Sequence, residues 1–378
     1  MRLVGFVKRA TVRETRDSNA YPSRSTILSG DVGMKQLWTR RRFVGLLGAS
    51  ALSAPLDLAE AQGARLVVGH WGGDSQKVIE NSLVANHLKP AGVDVVFDAA
   101  AEPPRKVKIL AERALPRGTM DVAGLTNSGA YELWKNGAVE DIDYSKIAAS
   151  SRILQDLKKP YLVPQFFSTR VILYNPEKIN PAPESYADLW NPKYAGRVGV
   201  IDIQYQTTVE SAAMINGGST SNYEPGKEKL LELKKMGVRI YPTNEAMAQA
   251  LKSGECWMCI MWQARGVMWQ NASIPIKIAF PKEGLGVALF GFSVPKNARN
   301  KDAAYKFLNA NLETDTQTAY ANEFGYNPPL SGVALPDDYK ARIGVPAGME
   351  NRLFLSDDDY LLKNDSQIKD WWDKVFKA

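Results

Sequence analysis

The stretch PYLVPQFFSTRVILYN, residues 160–175, decides how this chain is divided. It reads as an extended piece, residues 160–167, that runs into a strand at 168–175. Before it, strand-like segments at 65–71, 93–98 and 120–125 alternate with helix-like segments, and the same alternation begins again after it. Such alternation indicates an α/β architecture. We therefore expect residues 160–175 to pass from one α/β lobe to a second.

The expected boundaries of the two lobes follow from this crossing. Lobe 1 comprises residues 62–169 and 286–317, and lobe 2 comprises residues 170–285 and 318–378. Hinge segments are expected at 168–171, at 283–287 and, as a third crossing, near residue 315. Ligands of open α/β sheets bind beyond the carboxyl ends of the strands, so a ligand site is expected there.

Composition and charge exclude several classes of protein. The 378 residues are 45% apolar and 23% charged, which is ordinary for a soluble globular chain of about two domains. The 47 basic and 41 acidic residues give a net charge of +6. Residues 1–61 hold ten of the basic and five of the acidic residues, so the remaining chain is nearly neutral. This balance argues against nucleic acid as a partner.

The basic N-terminal region has the features of an export signal. TRRRFVG, residues 39–45, precedes an apolar run that is too short to span a bilayer, and Ala59-Glu60-Ala61 suits a signal peptidase. The pattern resembles a bacterial twin-arginine signal, which predicts removal of residues 1–61 and a periplasmic body. A translation start at Met34 would give such a signal its usual length. The alternative is a surface helix with a basic end.

The reactive side chains give little support to catalysis. Cys256 and Cys259 lie in an apolar run that predicts a buried strand, where they would point to opposite faces about 10 Å apart, so we expect core cysteines without a disulfide. His70 and His87 are the only histidines, and no hydrolase elbow, P-loop or zinc-protease motif occurs. We therefore predict no enzyme activity, no metal site and no cofactor.

Six motifs, in a consistent order, suggest a family. They are GHWGG at 69–73, VILYN at 171–175, SYADLWNPKYAG at 185–196, CIMW at 259–262, FPKEG at 280–284 and VPKNA at 294–298. Together they resemble the periplasmic solute-binding proteins of ABC importers, in the group that includes spermidine/putrescine-binding proteins. The alternative is that they are structural turns shared by unrelated α/β proteins.

This resemblance covers residues 65 to about 330 and carries several expectations. It implies two lobes around a ligand cleft, joined by a multi-strand hinge. It also implies a monomeric receptor that closes on a small solute and delivers it to an inner-membrane ABC permease.

Three turns supply candidate ligand-binding residues, because strand ends and helix N-termini offer free backbone N–H groups. The candidates are Trp71, Gly73 and Asp74 after the first strand, Asn127 and Ser128 after the third, and Thr243 and Asn244 before a helix. Each polar residue among them could instead serve only to cap its helix.

The resemblance implies further contacts. In polyamine-binding members, aromatic rings hold the methylene chain and carboxylates hold the ammonium groups. Trp262 matches a family tryptophan, unless it is only a core residue, and Asp202 falls near a family carboxylate at the start of the helix that contains Gln206. The family positions of a stacking Trp and a charge-pairing Asp are Ala288 and Phe290 here, so one wall is thinner and one charge is missing.

Two arginines leave the ligand class open. Arg170 and Arg265 stand beside cleft-forming stretches, where they would suit a carboxylate or phosphonate unless they pair with nearby acids. We favour a polyamine or related amine. The alternative is an anionic or zwitterionic solute (amino-acid-like, carboxylate or phosphonate) or ferric iron. A periplasmic enzyme and a scaffold or chemotaxis adaptor are the remaining function classes.

Overall fold

One long strand, β4 (Val163–Tyr174), runs through both halves of the molecule, which the computed structural model describes over residues 64–378. All 12 of its residues are buried. From Val163 to Thr169 it pairs with β9 (Leu285–Ser293), and from Arg170 to Tyr174 it pairs with β7 (Met258–Trp262). Its neighbour therefore changes between Thr169 and Arg170.

The other elements alternate along the chain as the sequence predicts. The other strands are β1 (Ala64–His70), β2 (Val93–Ala99), β3 (Val122–Thr126), β5 (Val198–Ile201), β6 (Arg239–Tyr241), β8 (Lys277–Ala279) and β10 (Leu353–Phe354). The helices are α1 (Gly73–Ile79), α2 (Glu102–Glu112), α3 (Asn127–Lys135), α4 (Tyr205–Met214), α5 (Glu224–Lys235), α6 (Asn244–Ser253), α7 (Gln263–Asn271), α8 (Lys301–Asn311), α9 (Thr314–Phe324), α10 (Asp337–Ile343) and α11 (Asp358–Trp371). α1 and α11 continue as π-helical turns over Glu80–Leu88 and Trp372–Phe376.

Hydrogen bonds connect the strands in the order β2-β1-β3-β9-β4-β7-β5-β6, with β10 on β9 and β8 on β4. β1 runs parallel to β2 and β3, whereas β9 is antiparallel to β3 and β4. We call the part built on β1, β2, β3 and β9 the first lobe, and the part built on β5 to β8 the second lobe. The α/β fold class is as predicted.

Both lobes bury their strands on two faces. In β4, Ile172 and Tyr174 belong to one core cluster of the second lobe, while Val171 and Leu173 belong to the other. In the first lobe, Val122 of β3 belongs to one core cluster and its neighbour Ala123 belongs to another. Neighbouring side chains of a strand point to opposite faces, so both faces of these strands are covered.

The path of the chain after β9 is more complex than the sequence suggested. The expected third crossing near residue 315 falls at the start of α9, whose Tyr320 packs in the first-lobe core together with Leu330. Further on, β10 pairs with Leu285 and Gly286 of β9, and α11 packs into the second-lobe core through Leu361 and Ile368. The lobe boundaries drawn from the sequence stay a prediction.

Both cysteines are buried and free, as expected. The geometry differs from the expected one because β7 begins at Met258, so that Cys256 precedes the strand and shares a core cluster with Cys259. Burial raises the pKa of the Cys256 thiol to about 12. Both side chains are therefore core residues with unreactive thiols.

Within residues 64–378, no helix combines the length and the apolar character needed to cross a membrane. The predicted export signal and cleavage after Ala61 lie outside the described residues.

The contact between β4 and β9 depends on Gly291, because a Cβ there would overlap the Val163 carbonyl oxygen. We expect Gly291→Ala to lower the free energy of unfolding by about 3 kcal/mol, since neither backbone can move without breaking the ladder. Gly69→Ala is the matched control: there the nearest atoms belong to the flexible Met120 side chain, so a smaller loss is expected. Urea denaturation measures the free energy of unfolding of both variants. Equal losses would contradict the close backbone contact between β4 and β9 described here.

Candidate functional site

A cavity of about 230 Å³ lies beside β4 and β9, near the point where β4 changes its neighbour. It is smaller than the roughly 300–1,000 Å³ typical of sites for drug-sized ligands, so its size suits a small solute. Six of the predicted site residues line it: Asn127, Ser128, Arg170, Gln206, Trp262 and Phe290. Further walls come from Thr126, Thr207, Ala288, Leu355, Ser356, Asp358 and Leu361.

Trp262 and Phe290 form the aromatic part of the lining. Trp262 ends β7, and its indole N–H donates to Gln204 Oε1 at 3.2 Å, which fixes the ring at the edge of the second lobe. Phe290 comes from β9 and packs edge-on against Trp71, with ring centroids 6.0 Å apart. Trp71 itself does not line the cavity; it lies behind Phe290, with the Arg105 guanidinium 4.9 Å from its ring centroid.

Arg170 lines the cavity as half of a buried ion pair. Its side chain is 3% exposed, and Nη2 lies 2.5 Å from Oε2 of the fully buried Glu210. The Tyr223 hydroxyl donates to the other oxygen of Glu210 at 2.7 Å. Burial alone would lower the pKa of Arg170, and the carboxylate of Glu210 more than offsets this, so the pKa is raised. The positive charge of Arg170 is therefore already balanced within the protein.

The start of α11 forms another wall. Asp358 Oδ2 accepts hydrogen bonds from Asn127 Nδ2 at 2.6 Å and from the Tyr161 hydroxyl at 3.3 Å. Asn127 is positioned by its neighbour Thr126, whose side chain caps α3 and donates to Glu102 at 2.7 Å. Burial raises the pKa of Asp358. The carboxyl group is thus held between the lobes, at the surface of the cavity.

Gln206 connects the same helix to the second lobe. Its amide donates to Asp365 Oδ1 at 2.5 Å, and the Tyr205 hydroxyl donates to the same oxygen at 2.5 Å. Residues 353–361 and α11 therefore cover one side of the cavity while bonded to both lobes.

Several predicted site residues lie elsewhere. Asp202 bonds to the Lys377 ammonium at 2.8 Å and to the Trp372 indole at 2.7 Å, so its charge is used by the C-terminal segment. Asp74 is exposed and forms an ion pair with Lys77, three residues further along α1. Gly73 is the first residue of this helix.

The remaining predicted residues cluster around α6. Thr243 caps this helix by accepting from the Ala246 N–H, and Asn244 is its first residue. Arg265 on α7 lies 3.9 Å from Glu245 of α6. None of the three lines the cavity, and the capping role of Thr243 is the alternative considered for that turn.

Sequence reasoning missed Leu355, Ser356, Asp358 and Leu361, although all four line the cavity. They lie beyond residue 330, where the resemblance seen in the sequence ends. The one local signal was the acidic run at 357–359, which reads as an ordinary helix start because Asp357 caps α11. Within the described residues, no three His, Cys, Asp or Glu side chains group as a metal site requires.

A model of bacterial extracellular solute-binding proteins matches residues 83–347, well over half of the chain. The chain belongs to the bacterial extracellular solute-binding protein family. The predicted resemblance is thereby confirmed, and so is the function as a small-solute binding protein.

Relatives and solved structures agree with this assignment. The spermidine/putrescine-binding periplasmic protein of Escherichia coli K12 is 25% identical over 303 residues, covering 77% of this chain and 84% of its own. The gamma-aminobutyric acid-binding protein of Pseudomonas aeruginosa is 21% identical over 307 residues, covering 78% and 84%. The crystal structure of an ABC transporter protein from Clostridium perfringens superposes with a TM-score of 0.74 at 23% identity, over 82% of this chain and 99% of that one.

The buried ion pair beside the cavity generates a stability prediction. Glu210→Ala leaves the Arg170 charge buried without a partner, so we expect the free energy of unfolding to fall by about 3–5 kcal/mol. The matched control is Glu232→Ala, which breaks the partly exposed pair with Lys229 and should cost less than about 1 kcal/mol.

Urea denaturation of both variants measures the difference. The double variant Arg170→Met with Glu210→Met removes both charges and should recover much of the loss. Equal stability of Glu210→Ala and Glu232→Ala would show that the pair is not desolvated as described.

Proposed function

We propose that this protein is the periplasmic receptor of an ABC importer and that the cavity beside β4 and β9 holds its solute, with a polyamine or related amine favoured. The observation that carries the proposal is the composition of the cavity wall. Asn127, Ser128 and Phe290 come from the first lobe. Trp262 and Gln206 come from the second. A solute there touches both lobes at once, so its contacts favour the state in which the lobes are closed.

An amine is favoured over an anion by the charges around the cavity. Arg170 lines the cavity, but its Nη2 lies 2.5 Å from Glu210 Oε2. Because this ion pair balances its charge, Arg170 is a poor partner for a carboxylate or phosphonate. Arg265, the other arginine considered for an anion, lies outside the lining beside Glu245. The aromatic faces of Trp262 and Phe290 suit an ammonium group or an alkyl chain. Relatives named for spermidine and putrescine support the same class, whereas a relative named for gamma-aminobutyric acid, which also carries a carboxylate, supports the zwitterionic alternative.

The fit to a long polyamine is reduced on one side. Ala288 lines the cavity with a methyl group where the resemblance expected a stacking tryptophan, and Phe290 stands where it expected a carboxylate. A smaller amine loses less by these two replacements than a long dication does.

The proposal includes the route and the partners of the receptor. The motif at 39–45 and the small residues at 59–61 support twin-arginine export with cleavage after Ala61. The mature receptor acts as a monomer, delivers its solute to an inner-membrane permease and carries out no chemical step. Relatives that are named periplasmic support the location.

The first test is a thermal screen of the purified protein with putrescine, spermidine, γ-aminobutyrate, amino acids, dicarboxylates, phosphonates and ferric iron. A solute that binds only the folded state stabilises it by about 2.7 kcal/mol at one hundred times its Kd, so a clear rise of the Tm is expected with an amine. A rise with dicarboxylates or phosphonates alone would replace the amine by the anionic alternative.

The second test asks whether the cavity is the binding site. Trp262→Ala should weaken binding of the stabilising solute at least tenfold, because the aromatic wall is lost. Trp257→Ala is the matched control, since Trp257 precedes β7 outside the cavity and its indole donates to Gly254 instead. Calorimetric titration measures both affinities. Unchanged binding by Trp262→Ala would place the solute elsewhere.

A further inference from the structure

We infer that the Asp358 carboxylate is the counter-ion of an ammonium group on the bound solute, which makes the C-terminal helix part of the binding site. The inference rests on the proposed function and deepens it, because it assigns the charge of the ligand and the residue that selects it. The sequence suggests Asp202 as the carboxylate for the ligand. Asp202 instead accepts hydrogen bonds from Lys377 and Trp372, so the inference does not use it.

The first step is the placement of Asp358. It opens α11, a helix whose Leu361 and Ile368 are core residues of the second lobe. Its carboxylate nevertheless reaches the first lobe, where Asn127 and Tyr161 donate to it. A solute bound against Asp358 is therefore at the junction of the lobes.

The second step concerns the two oxygens. Both hydrogen bonds given to Asp358 end on Oδ2, and within residues 64–378 no bond ends on Oδ1. A carboxylate has about four acceptor positions, so capacity remains for a further donor. Because Asp358 lines the cavity, a solute there is the donor that can use it.

The third step is the charge balance. Within residues 64–378, two charged residues line the cavity, Arg170 and Asp358. Glu210 neutralises Arg170. Lys159 attracts the Asp358 carboxylate from beyond ion-pair distance, and within the described residues no lysine, arginine or histidine forms an ion pair with it. Leaving a carboxylate partly buried without a cation is unfavourable, and an ammonium group of the solute removes this cost through a charge-assisted hydrogen bond.

The surroundings of Asp358 favour the same sign of charge. Asp357 precedes it and caps α11. Asp359 follows it and lies 3.4 Å from Lys135, which balances that charge only. A carboxylate or phosphonate placed against this turn would be repelled by Asp357 and Asp358, which form no ion pair within residues 64–378, whereas an ammonium group would be attracted.

The experiment separates the charge of Asp358 from its hydrogen bonds. Asp358→Asn removes the charge but keeps an oxygen that can accept from Asn127 and Tyr161. Tyr161→Phe removes one of these bonds but keeps the charge, and Tyr161 lies outside the cavity lining. Asp370→Asn is the matched control: the same change on the same helix, at an exposed residue that pairs with Lys374.

The probes are putrescine, γ-aminobutyrate and succinate, which share a four-carbon chain and carry two, one and no ammonium groups. We expect wild-type protein to bind at least one of the two amines. Asp358→Asn should weaken that binding at least tenfold, Tyr161→Phe by less than fivefold, and Asp370→Asn not measurably. Calorimetric titration gives the Kd values, and the Tm of each unliganded variant shows that it is folded.

Three results would overturn the inference. The first is binding of the amine by Asp358→Asn within twofold of wild type. The second is an equal loss in Asp358→Asn and Tyr161→Phe, which would make Asp358 only a structural link between the lobes. The third is a wild-type protein that binds neither amine. Binding of succinate in that case would leave the receptor function standing, whereas failure to bind a solute of any class would contradict the proposed function itself.

Discussion

The structure depends on a single strand that belongs to two sheets. β4 hydrogen-bonds to β9 up to Thr169 and to β7 from Arg170 onward, and it is buried along its whole length. Because the same backbone carries both ladders, the lobes meet at a place fixed by covalent geometry and not by side-chain contacts. The cavity lies at this change of partner, which explains why residues far apart in sequence, such as Asn127 and Trp262, face the same space.

Much of the fold could be predicted because it depends on local patterns. The stretch at 160–175 is predicted as an extended piece followed by a strand at 168–175, and β4 (Val163–Tyr174) joins most of both into one strand. The strand and helix segments of the first lobe have similarly clear periodicity. The motifs between residues 69 and 298 were sufficient to suggest the family, since several of them form turns whose residues are required locally, as in the capping box of Ser185 and Asp188.

The ion-pair partners of charged side chains could not be predicted in the same way, because these partners are distant in sequence. Arg170 is neutralised by Glu210, 40 residues away, and Asp202 by Lys377, 175 residues away. Neither pairing has a local signature. The same reason explains why Asp358 was missed: its acidic run has the usual features of a helix start, and only tertiary packing brings its carboxylate to Asn127.

The sequence position of one cavity wall has a consequence for the order of assembly. Leu355, Ser356, Asp358 and Leu361 all follow both ladders of β4 in the chain. Because the cavity needs these four residues and the ladders do not, both ladders can form before the cavity is complete. Solute therefore acts on a fold that already exists: it stabilises the assembled lobes and does not nucleate them.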